Sequence, residues 1–239
     1  MTSQDAVHEL KRLSAEKAVE MVSSGMIVGL GTGSTAKLAV DAIGRRQREE
    51  GLKIIGIPTS EVTAAQAKSL GIPLADFATI ERIDLTIDGA DAVRLGTLDL
   101  IKGLGGALLR EKIVASASAR MVVIVDGTKL ATPFGGKVPV PVEVVRFGWQ
   151  STHRRLAGLG ATPILRLGVD GQPFVTDGGN YIVDCHFGAI AEPAALEHTL
   201  RALVGVVETG LFVDLATDVI VARDGAIDVF TRDEERRGR

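Results

Sequence analysis

Apolar residues form two kinds of pattern along the first half of the chain, a helical repeat and short unbroken runs. Apolar residues recur at helical spacing over residues 10–22, and short unbroken apolar runs follow at MIVGL, KIIGI, IDLTI and MVVIV. Further helices are predicted between these runs at residues 34–43, 60–70 and 106–118, with one more short strand at residues 74–77. Ser60 is placed to cap its helix at the N-terminus. Apolar strands that alternate with helices predict an α/β fold of the Rossmann-like type, a mostly parallel sheet with helices on both faces.

The pattern changes after a Gly- and Pro-rich stretch, TPFGGKVPVPVEV, at residues 132–144. The elements predicted from there on are, in order, a strand at 138–145, a helix at 152–159, strands at 163–167 and 180–185, a helix at 193–203 and a strand at 206–212. The sequence DGGN, at residues 177–180, is typical of a turn and is expected between the two middle strands. This β-α-β-β-α-β order predicts a smaller ferredoxin-like α+β domain.

The two patterns divide the chain into two predicted domains. The smaller α+β domain takes residues 131–207, and the larger Rossmann-like domain takes residues 1–130 and 208–239. Near the end of the chain, DVIVARDGAIDVF predicts a hairpin that turns at Asp224 and Gly225. We expect this hairpin to return to the sheet of the larger domain.

Composition and charge exclude several classes of protein. The chain has 239 residues, of which 46% are hydrophobic and 24% charged, as in globular rather than disordered proteins. The net charge of −3 and the lack of a long basic cluster argue against nucleic acid as the ligand. No apolar run is long enough to span a membrane, and the N-terminus has no signal-peptide pattern. A single cysteine, Cys185, rules out an internal disulfide, so we expect a cytoplasmic protein.

The motif GLGTGSTA, residues 29–36, joins the first predicted strand to the next helix. Its glycines let the backbone approach a ligand closely, and the helix N-terminus behind them offers free N–H groups to an anion. Ser34 and Thr35 add hydroxyl groups. The spacing matches neither the dinucleotide fingerprint nor the P-loop. Two interpretations remain open, a phosphate or other anion site and a tight turn in which Ser34 caps the helix.

Two aspartates, Asp88 and Asp91, follow the predicted strand IDLTI at the carboxyl edge of the sheet, where ligands of α/β proteins bind. Gly89 between them allows a sharp turn, so both carboxylates can face one cleft. Paired carboxylates favour acid–base chemistry or the binding of hydroxyl groups. A magnesium site, or a helix cap plus a turn aspartate, are the alternatives.

The stretch KGLGGALLREKIV, residues 102–114, places a lysine before a glycine-rich turn and a glutamate inside the following helix. Lys102 is suited to neutralise an oxyanion or a phosphate. If Glu111 packs among the apolar side chains around it, its proton affinity rises and it becomes a usable general base. The alternative is an exposed glutamate paired with a lysine. Lys129, in DGTKL, follows another strand and is expected at the same edge of the sheet.

Together these motifs closely resemble the type A family of ribose-5-phosphate isomerases. The resemblance rests on GLGTGSTA, SEVTAAQAKSLGIPL, DLTIDGADAV, KGLGGALLREKIVA, DGTKL, VPVPVEV and DGGNYIVDC, in the family's order, between about residues 25 and 220. It implies a Rossmann-like domain that carries a smaller α+β domain. It also implies the interconversion of ribose 5-phosphate and ribulose 5-phosphate in the non-oxidative pentose phosphate pathway, with no redox cofactor and no need of a metal.

The resemblance also implies roles for individual residues. Glu111 would be the base that moves a proton between C1 and C2 through an enediolate. Asp88 and Asp91 would hold sugar hydroxyls, with Asp88 assisting ring opening, and Lys102 would stabilise charge on the enediolate oxygen. The remaining substrate-binding residues would be Thr32, Gly33, Ser34, Thr35, Gly89, Ala90, Gly103, Leu104 and Gly105, with Lys129 and Lys11 near the phosphate. Leu104 departs from the family, in which many members have a glycine at this position.

Two other functions have to be weighed against this one. A non-catalytic sugar-phosphate-binding domain of related fold is the main alternative, although the DNA-binding helix-turn-helix that usually accompanies it is not found. A CoA-transferase-like enzyme or an ATP-dependent ligase would need a nucleophile or nucleotide motif that is absent. The scattered histidines show no metal-ligand spacing, so neither a metal nor a cofactor is predicted. The expected partners are a small sugar phosphate and further copies of the chain, as a homodimer or homotetramer.

Overall fold

The structure is a computed structural model that describes residues 3–232. Within that range the helices are α1 (Ser3–Val19), α2 (Ser34–Glu50), α3 (Glu61–Ser69), α4 (Leu108–Ser116), α5 (Trp149–Gly158) and α6 (Pro193–Arg201). The strands are β1 (Ile27–Leu30), β2 (Ile55–Pro58), β3 (Leu85–Gly89), β4 (Ala92–Arg94), β5 (Asp99–Ile101), β6 (Met121–Asp126), β7 (Val140–Val144), β8 (Thr162–Leu165), β9 (Tyr181–His186), β10 (Val206–Thr209), β11 (Leu211–Phe212), β12 (Asp218–Arg223) and β13 (Ala226–Thr231). A short 3-10 helix, Gly127–Lys129, follows β6.

A six-stranded sheet of order β13-β12-β6-β3-β1-β2 forms the centre of the larger part of the chain. Its strands from β12 to β2 are parallel, and the C-terminal hairpin adds β13 antiparallel at one edge. Every residue of β6 is buried, because a parallel strand covered on both faces has no solvent side. The predicted Rossmann-like, mostly parallel sheet is confirmed, and so is the return of the hairpin to it.

Both faces of this sheet are covered, as predicted. On one face α1 and α2 pack against the central strands, where Ala15 and Ile43 share an apolar cluster with Ile124. The opposite face carries α4 and a three-stranded antiparallel sheet of order β11-β5-β4, where Val123 shares a cluster with Phe212. Each fully buried valine, isoleucine or phenylalanine side chain stabilises the fold by about 1.5–3 kcal/mol. The strands are therefore held rigidly, and their carboxyl ends provide fixed positions for the segments that follow them.

A second, four-stranded sheet is antiparallel and has the order β10-β7-β9-β8. Helix α5 joins β7 to β8, α6 joins β9 to β10, and both helices bury a leucine, Leu156 and Leu200, in the core of this sheet. The order of strands is that of a ferredoxin-like domain. The predicted smaller α+β unit is confirmed.

Two predicted strands differ in the structure. The strand expected at 206–212 divides at Gly210 into β10 and β11, which belong to different sheets. Here the chain passes so close to Lys102 that a Cβ on Gly210 would lie 2.2 Å from the Lys102 carbonyl oxygen. The strand expected at 74–77 is reduced to a single bridge between Leu74 and Gly56. Both differences arise from tertiary contacts, which a local apolar pattern does not encode.

The DGGN sequence does form a turn, in which the N–H of Thr176 donates to the carbonyl of Asn180 at 2.9 Å. It does not join the two middle strands directly, however. β8 ends at Leu165, and residues 166–180 make an additional excursion before β9 begins. This excursion reaches the larger part of the chain, where the Asp177 side chain accepts a hydrogen bond from the N–H of Glu61 at 2.9 Å.

The predicted domain boundaries, 131–207 against the rest of the chain, stay a prediction. The four-stranded sheet and its helices take residues 140–209. In the part of the chain that the structure describes, no helix has both the length and the hydropathy needed to cross a membrane.

Candidate active site

The carboxyl ends of three neighbouring strands meet in one cleft. Because β1, β3 and β6 are adjacent in the sheet, the segments that follow them come together at its edge. Lys102 directly follows β5, and Glu111 lies in the first turn of α4. The residues that line the cleft are Thr32, Gly33, Ser34, Thr35, Gly89, Ala90, Asp91, Lys102, Gly103, Gly105, Glu111 and Lys129.

All of these lining residues belong to the site predicted from the sequence. The three other predicted members, Asp88, Leu104 and Lys11, are not among the lining residues. Asp88 is completely buried next to the cleft. Leu104 is 43% exposed, so its side chain does not narrow the cleft. Lys11 lies on α1, where its Nζ donates to Ser34 Oγ at 3.1 Å. The structure thus brings the predicted residues together, while their individual roles stay predictions.

Gly31 allows the turn after β1 to pass directly over Asp88. A Cβ at residue 31 would lie 2.3 Å from Asp88 Oδ1 and 2.6 Å from Asp88 Cα. The N–H of Thr32 donates to the same Oδ1 at 3.1 Å, and the N–H of Gly89 donates to it at 2.7 Å. Oδ1 of Asp88 therefore accepts hydrogen bonds from two backbone N–H groups. The sequence marked the glycines of this motif as a group, but it did not mark Gly31 as the point of contact.

The Thr32 hydroxyl belongs to a cluster of hydroxyl groups. Its Oγ1 lies 2.7 Å from Thr59 Oγ1, 2.8 Å from Ser60 Oγ and 3.2 Å from Thr63 Oγ1. Ser60 also caps α3, as predicted, by accepting from the N–H of Thr63 at 3.1 Å. The cluster fixes the turn between β1 and α2 against the start of α3. Sequence reasoning identified Ser60 as a cap but missed Thr59 and Thr63, whose only signal is the hydroxyl-rich TSEVT.

Asp88, Lys102 and Glu111 form a buried group of charged side chains with exposed fractions of 0%, 2% and 3%. Lys102 Nζ lies 3.0 Å from Asp88 Oδ2 and 3.5 Å from Glu111 Oε2, and it donates to the Gly89 carbonyl at 2.5 Å. Among residues 3–232, no group makes a hydrogen bond of good geometry to Asp88 Oδ2 or Glu111 Oε2. Both oxygens face the Lys102 ammonium, and Lys102 and Glu111 line the cleft, so a polar ligand in the cleft would meet this charged group.

Burial changes the proton affinities within this group. The pKa of Glu111 is raised to about 8, most of all by loss of hydration; Lys102 opposes the rise, and the charges of Asp88 and Asp91 add to it. Burial raises the pKa of Asp88 too, although Lys102 and the backbone N–H groups oppose the change. Burial lowers the pKa of Lys102, but Asp88 and Glu111 outweigh this and hold the Lys102 pKa above its ordinary value. A permanent ammonium thus stands beside a carboxyl group that exchanges its proton near neutral pH.

Groups that favour an anion border the same cleft. Ser34 and Thr35 begin α2, whose first N–H groups have no partner within the helix and lie at the positive end of its dipole. Lys129 lies in the 3-10 helix after β6, which Asp126 caps by accepting from the N–H of Thr128 at 2.9 Å. Lys11 reaches Ser34 from α1. A helix N-terminus with two lysines is suited to bind a phosphate.

The loop at residues 102–106 is supported from two sides. Asp91 Oδ2 accepts a hydrogen bond from the N–H of Leu104 at 2.9 Å. Arg166, from the excursion after β8, donates to the carbonyls of Gly103 and Leu104. Sequence reasoning missed Arg166, because it lies 62 residues from Leu104 and no local pattern connects the two.

The chain is similar to known proteins over most of its length. Residues 55–225 match the sequence model of the family described as Ribose 5-phosphate isomerase A (phosphoriboisomerase A). A ribose-5-phosphate isomerase A from Gloeobacter violaceus is 59% identical over 222 residues, which cover 93% of this chain and 96% of that protein. The protein of the same name from Gluconobacter oxydans is 53% identical over 219 residues, covering 91% of this chain and 94% of that one.

Solved structures agree with this similarity. The ribose 5-phosphate isomerase A of Methanocaldococcus jannaschii matches with a TM-score of 0.90 and 39% identity, over 93% of this chain and 98% of that one. A D-ribose-5-phosphate isomerase in complex with phospho-erythronic acid matches with a TM-score of 0.92 and 36% identity, over 95% of this chain and 99% of that one. The chain therefore belongs to the ribose 5-phosphate isomerase A family, a family of isomerases.

Proposed function

We propose that the chain interconverts D-ribose 5-phosphate and D-ribulose 5-phosphate through an enediolate, as an aldose–ketose isomerase of the non-oxidative pentose phosphate pathway. The observation that carries the proposal is the buried group of Glu111, Lys102 and Asp88 beside a cleft with an anion-binding border. An isomerase of this kind needs a base, a positive group for the developing oxyanion, and a phosphate anchor away from the reacting carbons. The cleft contains a candidate for each.

Glu111 is the proposed base, which moves a proton between C1 and C2. A base that must both accept and return a proton works best when its pKa is close to the working pH. Burial meets this requirement by raising the pKa of Glu111 to about 8. Its side chain lines the cleft, and its Oε2 lies 3.5 Å from Lys102 Nζ, so the proposed base stands beside the proposed oxyanion partner.

Lys102 and Asp88 are proposed to act on the substrate oxygens. The Lys102 ammonium is already held by Asp88 and by the Gly89 carbonyl, so it needs little reorganisation when charge develops on the enediolate. Asp88 is proposed to bind a sugar hydroxyl through Oδ2 and to assist ring opening, since its Oδ1 is occupied by two N–H groups. Asp91 is proposed to hold a second hydroxyl through Oδ1, because Oδ2 accepts from Leu104.

The phosphate is proposed to bind at the start of α2, between Lys129 and Lys11. Ser34 and Thr35 supply hydroxyl and N–H donors there. The similar enzyme solved with phospho-erythronic acid binds a molecule that carries a phosphate and a carboxylate. Its phosphate corresponds to the phosphate of the proposed substrate, and its carboxylate corresponds to the negatively charged enediolate oxygen.

An enzyme assay coupled to ribulose 5-phosphate formation tests the proposed function. The purified chain is given ribose 5-phosphate in the presence of EDTA, because the proposed steps use only its own side chains. We expect turnover under these conditions. Binding of ribose 5-phosphate without turnover would instead favour a non-catalytic sugar-phosphate-binding domain, and lack of binding would refute both functions.

We also propose that the protein acts in the cytoplasm as a homodimer or homotetramer. Large apolar side chains exposed on the ferredoxin-like unit support self-association, namely Phe147, Ile164, Leu167, Val169 and Val204. Cys185 is a buried free thiol, which suits a reducing compartment. Light scattering on the purified protein is expected to give the mass of two or four chains, and the mass of one chain would contradict the proposal.

A further inference from the structure

We propose that Arg166 is a positioning residue for the isomerisation, which holds the loop at residues 102–106 in the shape that the cleft requires. The proposal rests on the function proposed above, because it gives Arg166 a task in that reaction. Arg166 lies just after β8, beside the four-stranded sheet, whereas the loop follows β5 of the larger part. The ferredoxin-like unit would therefore contribute to catalysis through this side chain.

The guanidinium of Arg166 is fixed from both of its edges. NH1 donates to the carbonyl of Gly103 at 2.8 Å and to that of Leu104 at 3.0 Å. On the other edge, Nε donates to Asp184 Oδ2 at 2.9 Å and NH2 donates to Asp184 Oδ1. The side chain is 12% exposed, so these bonds are largely shielded from water. A planar guanidinium held by a bidentate carboxylate offers its remaining N–H groups in a defined direction.

The loop adopts a shape that needs such support. Gly103 and Gly106 have φ angles of +103° and +85°, which residues with side chains rarely adopt. The ring of Phe174 packs against Gly106 so closely that a Cβ there would lie 2.5 Å from the ring. The Arg166 guanidinium lies 6.0 Å from the centre of the same ring. Arg166 and Phe174 thus form one supporting surface beneath a glycine-rich loop that would otherwise be free to change shape.

Arg166 affects the reacting groups through Gly103 and Leu104, the two loop residues whose carbonyls it binds. Leu104 is held at its N–H by Asp91 Oδ2 and at its carbonyl by Arg166. Gly103 follows Lys102 directly, and both residues line the cleft. Without Arg166, the Leu104 carbonyl and the Asp184 carboxylate lose its N–H donors, and the Gly103 carbonyl keeps only the N–H of Gly106 at 3.0 Å. Asp91 then accepts from a Leu104 N–H that is less firmly held. The phosphate anchor at the start of α2 is not part of this arrangement, so binding strength should change less than turnover.

Three variants and a control test the proposal in the coupled assay. We expect Arg166→Ala to lower kcat by about 10²-fold, because displacing reacting groups by about an ångström has effects of this size, with little change in KM. Arg166→Lys keeps the charge but not the planar fork, so it should lose most of the same activity. Asp184→Asn, which weakens the other edge of the guanidinium, should lower kcat less. Arg155→Ala, an exposed arginine on α5, should leave kcat and KM unchanged.

Added guanidinium ion separates positioning from a general loss of structure. At millimolar concentration it should restore part of the kcat of Arg166→Ala, whereas sodium chloride at the same ionic strength should not. An unchanged kcat in Arg166→Ala would overturn the proposal. So would a loss of kcat in Arg166→Ala that guanidinium does not restore although the variant still unfolds cooperatively on heating. If Arg166→Ala does not fold, Arg166→Lys decides, and wild-type kcat in that variant overturns the proposal. An inactive wild-type chain would instead refute the proposed function itself.

Discussion

Glu111 and Lys112 are adjacent in the sequence but lie in different surroundings. Lys112 reaches Glu197 and Glu208 at 2.8 and 2.9 Å, while Glu111 faces the cleft and approaches Lys102. The exposed glutamate–lysine pair that the sequence left open is therefore not formed. Because burial removes water from the Glu111 carboxyl group, the neutral acid is favoured over the ion, against the attraction of Lys102. The proton affinity of this residue thus follows from its position rather than from its sequence neighbours.

The raised pKa of Glu111 predicts a change in stability with pH. Between its ordinary value of 4.5 and about 8, the unfolded chain releases the proton that the folded chain keeps. Rising pH in this window therefore favours unfolding, and the stability that this group contributes is lost as pH passes about 8. Glu111→Gln removes the titration. We expect the difference in free energy of unfolding, Glu111→Gln minus wild type, to rise from pH 5 to about pH 8 and then to level off, as measured by chemical denaturation at each pH. If the free energies of unfolding of Glu111→Gln and the wild type changed with pH in the same way, the raised pKa of Glu111 would be contradicted.

At the scale of elements, the turn between β1 and α2 depends on its close approach to β3. Gly31 sits over Asp88, and the N–H of Thr32 then reaches the Asp88 carboxylate. The hydroxyl cluster around Thr32 holds the same turn from the side of α3. The backbone of this turn thus holds Oδ1 of Asp88, while Oδ2 faces the Lys102 ammonium at 3.0 Å.

Gly31→Ala should damage both stability and activity. The added methyl group would meet Asp88 at 2.3 Å, and its nearest backbone atom, Asp88 Cα, at 2.6 Å. We expect a loss of about 1–3 kcal/mol in the free energy of unfolding, as for other overpacked sites, together with a lower kcat. Gly158→Ala is the matched control, since nothing lies within 4 Å of its Cβ position at the end of α5. It should be neutral or stabilising by up to about 1 kcal/mol. Equal stability of the two variants would contradict the close approach.

Most elements, and the segments that line the cleft, were predictable from the sequence for a physical reason, whereas several individual lining residues were predicted only from the family resemblance. Buried parallel strands are unbroken apolar runs, and the segments after them must meet at one edge of the sheet. The break at Gly210 was not predictable, because apolar residues stand on both sides of it and only the tertiary fold sends the two halves of 206–212 to different sheets. Arg166 was missed for a similar reason, since it reaches the loop from a part of the chain 62 residues away.

At the scale of the whole molecule, a buried ion cluster joins the larger part of the chain to the ferredoxin-like unit. Lys112 of α4 contacts Glu197 of α6 and Glu208 of β10, and its Nζ lies 5.0 Å from the centre of the Phe212 ring. The same α4 carries Glu111. This cluster therefore connects the stability of the interface with the position of the proposed base.

Lys112→Ala should strongly destabilise the protein. It takes the nearest cation from the partly buried Glu197 and from the buried Glu208, which keeps only Arg201 at 3.7 Å. Breaking a buried ion pair in this way costs about 3–5 kcal/mol. Lys17→Ala is the control, because its pair with Glu20 is exposed and should contribute about 1 kcal/mol or less. Chemical denaturation compares the two variants. Losses of equal size would show that the Lys112 cluster does not hold the two parts together.

Replacing the Glu111 carboxyl group with an amide separates proton transfer from substrate binding. Turnover is measured in the coupled assay, and affinity for phospho-erythronic acid by calorimetry, with Glu49→Gln on α2 as an exposed control. If Glu111 is the base, Glu111→Gln should bind the acid nearly as well as the wild type, while kcat falls by about 10²–10⁴-fold or more. Near-normal turnover in Glu111→Gln would contradict its assignment as the base.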